Sequence, residues 1–257
     1  LGIPQFGAGL APVKLTPIWL RPADGRVPVL LLPGFCGDLR EMAPLVQGIE
    51  RPVVGFDLCS PSAAFPAAVE QALAACGVER FHLVAGSFGG LLGGGLAGLA
   101  SFAPIGMVPD ARFIRGPARA WARLSRWVPD GPLVRLYARR LARSLADDGV
   151  APDLAAAVVA RWTALASVTG ADQKIAAAAV RDRLHVIRAW AVSPRRSVPT
   201  LWIEGVDDPF VHWSDAEVRA ACPTASVVRV PGRHRPHASH AEALANVLNA
   251  FWARVHE

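Results

Sequence analysis

Three residue types able to perform acyl transfer together stand just beyond apolar runs. They are Ser87 in "FHLVAGSFGG" (81–90), Asp208 in "PTLWIEGVDDPFVH" (199–212) and His234 in "VPGRHRPHASH" (230–240). A serine hydroxyl is a weak nucleophile until a base removes its proton. Imidazole is the base suited to neutral pH, and a carboxylate can fix its tautomer and stabilise its charged form. Ser87 carries the sharpest local signal. The residues two before and two after it, Ala85 and Gly89, are small, as a tight strand–turn–helix requires if strand and helix nearly touch while the hydroxyl stands clear. The plainer alternative is a glycine-rich turn whose serine caps the helix. Asp208 lies just past an apolar run; Asp207 competes with it, and Asp110 is a more distant candidate. His234 is the best placed histidine, whereas His237 and His240 read as surface, helix-start or supporting residues. A fourth stretch, "LLLPGFCGD" (30–38), offers a loop after an early apolar run. The backbone N–H groups of Phe35 and Phe88 are the candidate oxyanion donors, and losing one such donor typically costs about 100- to 1000-fold in rate.

The elements around these residues follow from hydropathy patterning. "VPVLLLPG" (27–34), "RPVVGFDL" (51–58), "FHLVAG" (81–86), "PTLWIEG" (199–205) and "SVVRVPG" (226–232) are short apolar runs of the kind buried in parallel sheets. Phe65 to Cys76 reads as a helix closed by Gly77, Phe88 to Ala100 as a second, and "AEALANVLNAFWARV" (241–255) as an amphipathic last one. Strands alternating with helices predict an α/β class with a mostly parallel sheet covered on both faces. After a weak strand signal in "APIGMV" (103–108) the alternation stops, and residues 110 to 190 show only helical periodicity.

Taken together, the motifs resemble the α/β-hydrolase fold superfamily, and within it the lid-bearing serine hydrolases of esterase and thioesterase type. The resemblance covers residues 27 to 108 and 198 to 255. "AGSFGG", "PTLWIEGVDDPFV" and "PGRHRPH" carry it, and the order Ser, Asp, His along the chain matches the family's. It implies a nucleophile at Ser87, an acid at Asp208, a base at His234 and an oxyanion hole at Phe35 and Phe88. It further implies a core of 1–108 and 193–257 with a helical cap at 109–192. The chain departs from the family pattern in having Pro33 in place of the oxyanion-loop His, Ala85 in place of the first elbow Gly, and Arg233 before the histidine. The implied reaction is ester hydrolysis through an acyl-enzyme. A thioesterase, a carbon–carbon bond hydrolase, lyase or cyclase on the same triad, and a non-catalytic scaffold of the same fold are the alternatives. No metal or organic cofactor is expected.

Composition narrows the setting. The chain has 257 residues, 52% of them hydrophobic, and a net charge of +6, which suits a large folded domain and excludes a disordered chain. The four cysteines, Cys36, Cys59, Cys76 and Cys222, show no metal or disulfide spacing, and the first residues lack the pattern of a secretory signal, so a cytoplasmic location is expected. Leu83 to Pro109 carries no charge, but its glycines and Pro104 point to a buried strand, turn and helix rather than a membrane span. Residues 102 to 192 hold 14 basic and 7 acidic residues, which places the whole positive excess on the cap. That charge suits an anionic small-molecule substrate, an acidic partner such as an acyl carrier protein, or a solvated helix face. Nucleic-acid binding is not expected, because no recognition fold accompanies the charge. Trp121, Trp127, Trp162 and Trp190 fall in the cap and are candidates to line an apolar acyl pocket, the alternative being that they join its helices.

Overall fold

The computed structural model describes residues 15–58, 65–113, 117–189, 198–211 and 213–255. Trp190 and Cys59 lie outside them. The elements run β1 (Ile18–Arg21), β2 (Val29–Leu32), α1 (Ala43–Gly48), β3 (Val53–Gly55), α2 (Phe65–Ala75), β4 (Phe81–Gly86), α3 (Phe88–Gly93) and β5 (Leu99–Ile105). Four helices follow: α4 (Pro117–Leu124), α5 (Asp130–Asp147), α6 (Pro152–Ser167) and α7 (Ala171–Ala189). The chain then returns through β6 (Thr200–Gly205), α8 (Asp215–Ala221), β7 (Ala225–Val230), α9 (Pro236–Ser239) and α10 (Ala241–Trp252). The seven strands form one sheet in the order β1-β3-β2-β4-β5-β6-β7. Every pairing is parallel except the antiparallel β1–β3 edge.

The apolar runs build this sheet because a strand sends alternate side chains to opposite faces, and here both faces are covered. Leu30 and Leu32 of β2, with Phe81, Leu83 and Ala85 of β4, meet α2, α3 and α8 on one face. Val29 and Leu31, with Val84 and Ile203, meet α1 and α10 on the other. The helix expected from Phe88 to Ala100 is shorter: it ends at Gly93, and β5 begins at Leu99, earlier than the 103–108 signal. Glycines at 93 to 95 and 98 make this stretch a poor helix, while Phe81↔Leu99 through Gly86↔Ile105 pairing with β4 captures the rest. The edge strand β1 has only a three-residue apolar run, Ile18 to Leu20, and its antiparallel pairing with β3 supplies what so short a pattern does not.

Helices α4 to α7 lie between β5 and β6 and bury a core of their own. Leu133, Val134, Leu141 and Leu145 of α5 pack with Val158 and Trp162 of α6 and Val180 of α7. Cys36, from the loop after β2, is buried in that same cluster. The loop that follows an inner strand is therefore inserted into the helical layer, which ties the two parts together next to the carboxyl ends of the strands.

Candidate active site

Ser87 follows the last residue of β4 and has φ 38°, ψ −104°; it is the only non-glycine residue with positive φ among the described residues. Such backbone costs of order 1–3 kcal/mol and persists only where the surroundings dictate it. The Ser87 N–H donates to the Ile105 carbonyl at 2.6 Å, and no side-chain cap bond is made to α3, so the capping alternative does not describe this hydroxyl. Gly89 permits the turn: a Cβ there would sit 2.4 Å from the Pro33 carbonyl oxygen and 2.7 Å from that of Leu32. Neither backbone oxygen can move without disturbing β2.

The loops after β6 and β7 bring the other two groups together. Asp208 Oδ2 lies 2.7 Å from His234 Nδ1, with both side chains nearly or fully buried. The opposite carboxylate oxygen, Oδ1, accepts the Phe210 N–H at 2.8 Å and the Val211 N–H at 3.3 Å. Burial opposes ionisation of Asp208, but the adjacent His234 and these backbone donors outweigh it and hold its carboxyl below the usual carboxylate value. Asp207 instead is exposed and donates its N–H to the Gly232 carbonyl. The Phe210 ring stands edge-on to the His234 ring at 4.9 Å. Gly205 lets the histidine loop close over β6: a Cβ there would fall 1.9 Å from the Arg233 carbonyl oxygen.

Backbone bonding in the loop after β2 bears on the candidate oxyanion donor. Pro33 has no N–H. The Gly34 N–H is taken by Glu41 Oε1 at 2.5 Å, and the Gly37 N–H donates to the Gly34 carbonyl at 3.0 Å. Among the described residues the Phe35 N–H meets no acceptor. Phe88 is the first residue of α3, a position whose N–H has no intrahelical partner. Glu41, which the sequence reading did not single out, is buried and also lies 3.5 Å from Arg235. Arg235 is itself buried; it donates to Ser144 Oγ at 2.7 Å and pairs with Asp148 at the end of α5. No periodicity marks Glu41, so only its spatial partners reveal it.

Ser87, His234 and Phe35 open into one cavity of about 430 Å³ between the sheet and the helical layer. Its walls are mostly apolar, with Leu91, Met107, Val108, Leu133, Val180 and Ile187 among them, and Arg140 and Arg143 line it from exposed positions on α5. The tryptophans divide. Trp121 lines the cavity, with the Arg140 guanidinium 4.6 Å from its ring centre. Trp127 is 75% exposed and is not part of the wall. Trp162 is fully buried within the helical layer, edge-on to Tyr137 at 4.6 Å, and its indole N–H donates to the Cys36 carbonyl at 3.0 Å. It thus joins helices and loop rather than lining the cavity.

His237, expected at the surface, at a helix start or as a supporting residue, is the second residue of α9 and is buried against Gly86, and among the described residues neither ring nitrogen has a partner. Burial, reinforced by Arg235 and opposed by Glu41, lowers its pKa from 6.5 to about 4. A base whose folded-state pKa is depressed leaves the unfolded chain binding more protons between the two values. Its contribution is therefore intact above about pH 6.5 and is lost progressively as pH falls toward 4. Between pH 7 and pH 5 this single group costs about 2 kcal/mol of stability. In urea unfolding, His237→Leu is expected to remove about that much of the wild-type decrease between those pH values. An unchanged decrease in the variant would show that other groups carry it.

The fold and these loops can be set beside known proteins. A family model described as the alpha/beta hydrolase family matches residues 10–247. Comparison with curated proteins finds no match. Among solved structures, a bacterial membrane phospholipase A superposes with TM-score 0.72 at 22% identity, over 95% of this chain and 85% of that one. A thermophilic esterase from Thermogutta terrifontis gives 0.71 at 18%, over 95% and 94%. An enol-lactonase from Burkholderia xenovorans gives 0.64 at 17%, over 93% and 94%. Identities this low speak for the fold alone, but the family model spans nearly the whole chain. The chain belongs to the alpha/beta hydrolase family.

Proposed function

We propose that the protein is a serine hydrolase that cleaves a carboxylic ester through an acyl-enzyme. The observation that carries this reading is a strained serine opening into the same apolar cavity as a histidine whose Nδ1 is bonded to a buried carboxylate. With Nδ1 occupied by Asp208, the imidazole proton stays on that nitrogen, and Nε2 is free to take the Ser87 proton. Ser87 attacks the carbonyl carbon, and the N–H groups of Phe35 and Phe88 receive the developing oxyanion. His234 then returns the proton to the leaving alcohol, and water repeats the sequence to release the acid. In this reading residues 109–192 act as a cap over a core of 1–108 and 193–257, and the cap's apolar wall accommodates the acyl or alcohol portion. The esterase and enol-lactonase among the fold neighbours perform chemistry of this class by name.

Arg140 and Arg143 on the cavity wall favour, as the second reading, an anionic acyl donor such as a coenzyme A or carrier-protein thioester. Among the described residues no helix is long and apolar enough to cross a membrane. A cytoplasmic setting belongs to the same reading, because the spacing of the four cysteines in the sequence suggests no disulfide framework. The test is turnover of matched oxyester and thioester series of increasing chain length, together with fluorophosphonate labelling and peptide mapping. A single adduct on Ser87 and preference for medium apolar acyl groups are expected. No turnover and no adduct on folded protein would leave the scaffold alternative standing.

A further inference from the structure

Arg183 of α7 is fully buried. Its Nη1 donates to the Phe35 carbonyl and its Nη2 to the Leu58 carbonyl. Among the described residues no carboxylate pairs with it. The guanidinium lies within 6 Å of three ring centres, those of Phe35, Phe88 and Trp162. Burying a cation against neutral carbonyls is costly, and an apolar side chain of similar volume would stabilise such a site as well or better. The position of this charge therefore calls for a role beyond packing.

Its partners suggest the role. Each carbonyl from Gly34 to Gly37 is claimed in turn. Gly34 accepts from the Gly37 N–H and Gly37 from the Leu58 N–H. Phe35 accepts from Arg183, and Cys36 from the Trp162 indole. Glu41 holds the peptide before Gly34–Phe35 through the Gly34 N–H, and Arg183 holds the peptide after it. The Gly34–Phe35 peptide is thereby fixed on both sides, and its one free group is the Phe35 N–H. We infer that Arg183 is a positioning residue: through the Phe35 carbonyl it sets the direction of the Phe35 N–H, so the helical layer helps to form the oxyanion hole. Trp162 assists from α6 through the next carbonyl. Arg183 does not line the cavity and touches no substrate in this scheme.

The inference rests on the proposed ester hydrolysis, and the experiment separates the two. Wild-type protein is first assayed with a p-nitrophenyl ester and for inhibition by a trifluoromethyl ketone, which forms a tetrahedral adduct on serine. Lack of both would sink the hydrolase reading itself. Given wild-type activity, Arg183→Met is expected to lower kcat about 10- to 100-fold, because misplacing one donor costs that much. KM should stay within about twofold, and ketone affinity should fall in parallel with kcat. Arg183→Lys should recover part of the loss. Trp162→Phe removes one donor while keeping a ring and should lower kcat a few-fold in the same manner. Folded variants with wild-type kcat, or a loss confined to KM, would overturn the inference. So would variants that all fail to fold, since Arg183 would then be a purely structural residue.

Discussion

Replacing Ser87 by Ala lowers kcat for a carboxylic ester by about 10,000-fold or more and removes fluorophosphonate labelling, with the fold retained. The size follows from the division of work in a nucleophile–base–acid triad: losing the nucleophile discards covalent catalysis and leaves what binding and oxyanion donors supply. A second substitution adds a test that is independent of activity. Ser87 has φ 38°, a conformation that costs an L-residue but not glycine. Ser87→Gly should therefore be as inactive as Ser87→Ala yet about 1 kcal/mol more stable than it in urea unfolding. That pattern would mean that strain is retained at this position because the hydroxyl must stand over the cavity. An active Ser87→Ala protein would remove the acyl-enzyme mechanism altogether.

How much of this was legible in the sequence depends on whether a feature is local. The elbow is local: Gly89 must be glycine because a Cβ there would meet the backbone at the end of β2, and the small residues on either side of Ser87 are written at fixed spacing. The sheet strands are legible for a related reason, since burial on both faces leaves uninterrupted apolar runs. The edge strand β1 is partly exposed and its apolar run stops after Ile18, Trp19 and Leu20, too short to stand out, so its partner β3 defines it. The oxyanion loop lies between these cases. Its glycine and the candidate donor could be named, but Glu41 and Arg183, which hold it, come from 7 and 148 residues away. Arg183 did leave a trace: Val180, Arg183, Leu184 and Ile187 share one helical face, so a cation stands in an otherwise apolar stripe. The tryptophans left none, because an indole in a cap helix serves equally as wall (Trp121), exposed ring (Trp127) or loop clamp (Trp162).

The second large effect concerns Asp208. Asp208→Asn is expected to lower kcat/KM about 10,000-fold at neutral pH, whereas Asp207→Asn changes it less than about threefold. The asymmetry follows from hydrogen-bond directions. In the native site Oδ1 accepts two backbone N–H groups, from Phe210 and Val211, while Oδ2 faces His234 Nδ1. An asparagine carbonyl must take the place of Oδ1, because an NH₂ group there would oppose two donors. Its NH₂ group then points at Nδ1 and donates to it. Nδ1 can no longer carry the proton, so the neutral imidazole is protonated on Nε2 and cannot accept the Ser87 proton. The ring is held in place but in the wrong tautomer. Stability should change little, since the carboxamide keeps the backbone bonds of the loop. Asp207, exposed and, among the described residues, bonded through its own N–H to Gly232, has no comparable hold on the histidine. Steady-state rates and fluorophosphonate labelling rates of the two variants decide the matter. If Asp207→Asn were the slow variant, the acid would have to reach His234 by a rearrangement of the β6 loop, and Asp208 would be left as a loop-closing residue.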